Sequence, residues 1–147
     1  MRFLPVLLTL PFLFACSGEG AALQASAPAE PPAPVVLAGV DLNQPVRALG
    51  TEPFWSVEIT TDALTWSGVD RPEVIAPNPG PQVQGTTALY DAEAADGTSL
   101  TVTLIATECS DGMSDRVYPL TARVEMGDET LTGCAQSAAV LASEPRP

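Results

Sequence analysis

The chain has 147 residues, 18 acidic against six basic, no histidine and no lysine, and a net charge of −12. That balance disfavours nucleic-acid binding and adsorption to anionic headgroups, both of which need a basic surface. Without histidine or lysine there is no Ser-His, Cys-His or Ser-Lys pair, no Schiff base and no imidazole metal site, so only perturbed carboxylates remain for acid–base work.

Arg2 precedes an uncharged, largely apolar stretch, Phe3 to Ala15, which contains Pro5 and Pro11. It falls short of the ~20 residues needed to span a bilayer. The junction Leu13-Phe14-Ala15-Cys16 resembles a bacterial lipobox, with a small residue before the cut and a cysteine after it, although Phe14 is bulkier than the usual occupant. On that reading residues 1–15 are a signal peptide and Cys16 carries the lipid, each buried methylene contributing about 0.8 kcal/mol to anchoring. An ordinary secretory leader with an incidental cysteine is the competing reading. Loss of Arg2 with the leader moves the net charge to −13. Ser17 follows Cys16 where an aspartate would resemble an inner-membrane retention signal, which favours the outer membrane in a cell with two.

Residues 16–34 read as the lipidated cysteine and a flexible tether, rich in Ala, Pro, Glu, Gly and Ser and without an aromatic residue. Such a segment cannot bury enough apolar surface to offset its ordering entropy. The β domain is expected over 35–141, a single modest core, followed by a frayed tail over 142–147.

Strands are expected throughout that domain. Val46, Ala48 and Gly50 share a face in a first strand over Pro45 to Gly50. Phe54 to Thr60 alternates, with Trp55, Val57 and Ile59 on one face, and Ala63 to Ser67 continues in phase through Leu64 and Trp66. Period two in both runs predicts a hairpin with one buried face. Pro72, Pro77, Pro79, Gly80 and Pro81 then break the chain, leaving room for an edge strand at Glu73 to Ala76. Gln82 to Tyr90 reads as one polar strand. Asp96-Gly97 is a turn signal before Ser99 to Thr107, where Leu100, Val102 and Leu104 point inward. Val117 to Met126 alternates on Tyr118, Leu120, Ala122 and Val124, and Gly127-Asp128 turns it into Thr130 to Ala135. A weak helical pattern covers Ala135 to Ala142. Six to eight short strands with hairpin turns predict an all-β fold, a small antiparallel barrel or sandwich.

Three cysteines are an odd number for an oxidising compartment. If Cys16 carries lipid, Cys109 and Cys134 remain as one disulfide; two buried free thiols are the alternative. Closing that loop contributes about 3 kcal/mol, chiefly by restricting the unfolded chain.

Two motifs stand out. The first is Gly50-Thr51-Glu52-Pro53-Phe54-Trp55. Adjacent Phe54 and Trp55 point to opposite strand faces, so one of them lies outside the main core, as a ligand platform or as the lid of a barrel end. The second runs from Glu108 through Cys109-Ser110-Asp111-Gly112-Met113-Ser114-Asp115-Arg116 to Tyr118-Pro119. Its acids and hydroxyls have three readings. They form a structural turn at Asp111-Gly112, with Ser110 or Ser114 capping and Asp115 paired with Arg116 or backbone amides; they contact a partner; or they bind a divalent cation, although the spacing is not that of an EF-hand loop. Candidate binding residues are Phe54, Trp55, Asp111, Asp115, Arg116 and Tyr118. No catalytic residue, metal ligand or cofactor is assigned.

With L-T-G-C closing the pattern at Cys134, these motifs resemble a family of uncharacterised bacterial envelope lipoproteins over about Arg47 to Cys134. The resemblance implies an envelope address and a β fold, and no chemistry. Small β domains of the heat-shock META type and the periplasmic lysozyme inhibitors are architectural analogies only.

The expectation is a lipid-anchored, periplasm-facing module that binds rather than transforms. Its candidate partners are the membrane, through lipid, and a basic periplasmic protein steered by the acidic surface. A carboxylate-dependent enzyme acting on cell-wall polymer, or a passive envelope component, are the alternatives.

Overall fold

The computed structural model describes residues 33–144. The leader, Cys16 and the tether through residue 32 lie outside the described residues, as do residues 145–147. The strands are β1 (Val36–Leu37), β2 (Val40–Asp41), β3 (Val46–Thr51), β4 (Phe54–Ile59), β5 (Ala63–Gly68), β6 (Val74–Pro77) and β7 (Gln82–Gln84). They continue as β8 (Thr87–Glu93), β9 (Ser99–Ile105), β10 (Cys109–Ser110), β11 (Val117–Tyr118), β12 (Leu120–Met126) and β13 (Glu129–Ser137), followed by helix α1 (Ala138–Ser143).

Nine of them form one antiparallel sheet in the order β6-β5-β4-β3-β13-β12-β9-β8-β7. Two meanders therefore meet at the centre, where Leu49 of β3 lies opposite Cys134 of β13. The two edges, β6 and β7, are joined by residues 78–81 alone. A flat sheet would hold those edges about 38 Å apart at ~4.8 Å per strand, whereas the link from Pro77 to Gln82 reaches at most about 18 Å. The sheet must curl, and it does so as a half-barrel that brings β6 against β8.

The alternating side chains fill the concave side. Trp55, Val57 and Ile59 of β4 face inward with Leu64 and Trp66 of β5, Tyr90 of β8, and Leu100, Val102 and Leu104 of β9, all buried. Ala48, Ala76, Ala88 and Ala122 leave room for the two indoles and the phenol. Three glycines do the same at closer range, Gly68 against the Trp66 indole among them. A Cβ on Gly50 would overlap the Trp55 indole, and one on Gly133 would overlap the Leu49 carbonyl. Among the described residues the buried Trp66 N–H and Tyr90 hydroxyl have no hydrogen-bond partner, and burial pushes the Tyr90 phenol up to about 12. Arg71 stacks on Trp66 at 4.6 Å and pairs with Glu129 of β13, tying the β5–β6 loop to the start of β13.

The all-β expectation is met, with more and shorter strands than expected. Gln82 to Tyr90 is two strands, because Gly85 at φ 58° supports a tight hairpin with Thr86. Val117 to Met126 breaks at Pro119, where the chain leaves the β10–β11 hairpin for the main sheet. The hairpin β1–β2, turned by Ala38 and Gly39 at positive φ, was not anticipated; its Leu37 and Val40 enter the core. At the C-terminus β13 extends through Ser137, so the helix starts three residues later than its sequence pattern, and Ala142 and Ser143 belong to it rather than to a tail.

Candidate functional site

Strand alternation gives the sheet a second, convex face. On β3 it carries Arg47, Leu49 and Thr51, on β4 Phe54 and Ser56, and on β5 Ser67. A two-residue turn, Glu52-Pro53 with a cis peptide bond, joins β3 to β4 and pairs Thr51 with Phe54. Phe54 is 54% exposed and Trp55 5%, so Phe54 is the partner left outside the core while the Trp55 indole packs inward on Gly50 and Gly133.

The second motif folds over this face. Cys109 and Cys134 are bonded, with Cα atoms 5.5 Å apart, which fixes the short hairpin β10–β11 against β13. The Thr51 hydroxyl donates to the Asp111 carbonyl at 3.3 Å, linking the two motifs directly across 60 residues.

Asp111 organises the loop. One carboxylate oxygen accepts the N–H of Met113 at 3.0 Å and of Ser114 at 2.8 Å. The other accepts the Ser114 hydroxyl at 2.7 Å and the Tyr118 hydroxyl at 3.0 Å. Those four bonds occupy the acceptor positions of a carboxylate. Partial burial pushes the carboxyl up, but the Ser114 and Met113 amides and the two hydroxyls outweigh it and hold it at about 2. Burial raises Tyr118, and the Asp111 carboxylate raises it further.

Arg116 pairs with Glu144 at 2.9 Å and lies 6.0 Å from the Tyr118 ring centroid, so it braces the loop from below. Asp115 is exposed and pairs neither with Arg116 nor with any other described residue. The turn reading of this loop therefore holds through Asp111, with Ser114 as its hydroxyl partner, and not through Asp115. Among the described residues no three His, Cys, Asp or Glu side chains converge as a cation site would need.

Between loop and sheet lies a recess of ≈ 760 Å³. Leu49, Phe54, Val69, Met113 and Tyr118 supply apolar wall, and Arg47, Ser56 and Ser67 supply polar edge. Phe54, Val69 and Met113 are each more than half exposed. Of the residues expected from the sequence, Phe54, Trp55, Asp111 and Tyr118 border the recess; Asp115 and Arg116 do not. Arg47, Val69 and Met113 were missed. Alternation places Arg47 on the face of Leu49 and Thr51, but only the register of β3, β4 and β5 brings that face under the loop.

No protein-family model, no characterised protein and no solved structure matches the chain.

Proposed function

We propose that this is a lipid-anchored envelope protein, attached through Cys16, facing the periplasm and residing in the outer membrane, whose β domain binds a ligand without transforming it. One observation carries the binding reading. Two sequence motifs some 60 residues apart converge on a single recess whose apolar rim is left exposed. A cavity of that size with mostly apolar walls and a few polar groups suits a small ligand, and exposed apolar patches mark binding surfaces.

The carboxylate bordering the recess favours binding over acid–base chemistry. Asp111 is held as an anion at about 2, far below the range where a carboxyl donates or accepts protons at neutral pH. A basic periplasmic protein as partner draws support from the acidic surface as a whole and, in this loop, from the exposed Glu108 and Asp115, since Asp111 is occupied within its own loop.

Two experiments test the proposal. Metabolic labelling with an alkyne fatty acid should mark the wild-type chain and leave Cys16→Ser unmarked; label on the variant would overturn the anchor. The intact protein, captured from its own envelope, should carry a protein or small molecule that is absent from a Phe54→Ser, Met113→Ser variant. Identical co-purifying material from both would overturn the recess as the site and leave a passive component.

A further inference from the structure

The polar groups around the recess are unevenly spent. Asp111 has no acceptor position left. The Thr51 hydroxyl donates to the Asp111 carbonyl, and the Ser67 hydroxyl to Glu73 at 3.2 Å. Two donors remain. One is the Ser56 hydroxyl, which accepts from Arg47 at 3.5 Å and keeps its own proton free. The other is Arg47. Among the described residues Arg71, Arg116 and Arg123 each pair with a glutamate. Arg47 pairs with none, although Glu58 lies opposite it on β4. Among the described arginines only Arg47 thus keeps its guanidinium clear of a carboxylate, with the Ser56 hydroxyl as its one side-chain partner.

The site thus offers free donors, one of them cationic, beside an apolar wall of Leu49, Phe54, Val69 and Met113. A cationic ligand would find no free carboxylate bordering the recess. A neutral apolar ligand would leave Arg47 unused. We infer that the recess takes a small amphiphile with an anionic oxygen head, a carboxylate or a phosphate, whose apolar body lies against Phe54 and Met113 and whose head is held by Arg47 and Ser56. Guanidinium suits either head because its planar fork matches both geometries. The inference rests on the recess being the binding site and names the chemistry of its ligand.

The test uses the intact protein in zwitterionic phospholipid nanodiscs, labelled at methionine methyl groups. Met113 borders the recess and is 68% exposed, while Met126 is 7% exposed in the core and serves as internal control. Octanoate, octyl phosphate, octylammonium and octanol are titrated separately. Octanoate or octyl phosphate, or both, should move the Met113 signal saturably and leave Met126 in place; the stronger of the two identifies the head group. Octylammonium should not. Arg47→Gln should weaken the anion by about tenfold, as loss of a charge-assisted hydrogen bond does, while Arg47→Lys restores part of it.

Equal binding of octanol and octanoate, with Arg47→Gln silent, would overturn the anionic assignment. So would preferred binding of octylammonium. If no octyl probe moves Met113 while envelope capture still depends on Phe54 and Met113, this inference falls and the binding reading stands. If capture is also independent of them, both fall.

Discussion

The interior of the half-barrel and the disulfide-bonded loop on its outer face are ordered by different forces. The interior is apolar burial spread over eight strands of the main sheet and the β1–β2 hairpin, with two buried polar atoms, on Trp66 and Tyr90, that no described residue partners. The loop buries little besides Tyr118 and depends on one disulfide, one carboxylate and the Arg116–Glu144 pair. Burial is non-directional and shared, so the sheet loses stability in increments and globally. Polar bonds are directional and few, so the loop is lost locally and by single changes. The recess lies between the two, with a rigid floor and a wall whose order is set by Asp111.

The largest effect that would sharpen this contrast is in the core. Trp66→Ala should cost about 3–5 kcal/mol in chemical denaturation and weaken sheet and loop together. A loss confined to the loop would break the comparison.

Cys109→Ser with Cys134→Ser should cost about 2–5 kcal/mol overall. Amide exchange should rise most over residues 109–118 and least at Val102 and Leu104. Uniform acceleration would mean that the loop is not a separate unit.

Asp111→Ala strips four donors of their acceptor and should cost about 1–2 kcal/mol, since water replaces part of what is lost at so open a site. The wild type carries a pH signature of the same contact. The folded carboxyl sits below its ordinary value, so its contribution is complete above about pH 4 and fades as pH falls toward 2. Met113 and Ser114 amide shifts should follow that titration before the sheet unfolds, and Asp111→Asn should abolish it.

The smallest effect is Phe54→Ser. With Phe54 54% exposed, the denaturation midpoint should correspond to a change within about 0.5 kcal/mol. A large loss would assign Phe54 to the fold and remove it from the recess.

Much of this architecture is local and therefore readable along the chain. Period two separates Trp55, Val57 and Ile59 from Phe54, Ser56 and Glu58 without any knowledge of the neighbouring strands, and it does the same through β9 and β12. Asp96-Gly97 announces its own turn. The Gly85 hairpin was missed because a single glycine between Gln82-Val83-Gln84 and Thr86-Thr87 leaves the composition of a polar strand; positive φ, not residue type, ends it. The break at Pro119 was missed because Tyr118 and Leu120 keep the alternation even though the chain changes sheets between them.

What the sequence by itself determined about this protein is which residues face inward and that Phe54 and Trp55 part company; it offered the Cys109–Cys134 pair only on the condition that Cys16 carries lipid, and the structure supplies the bond. Side-chain direction and the cysteine count are properties of short segments and of composition. Only the tertiary structure decided that β3 lies beside β13, that the sheet curls, and that the Asp111 loop closes over Arg47 and Phe54. Those are contacts between residues as far apart as Thr51 and Asp111, settled by register and by the disulfide rather than by any periodic signal. The same reason divides the acidic motif. Asp111 and Asp115 look alike in the chain, yet one has four donors aimed at it and the other faces water.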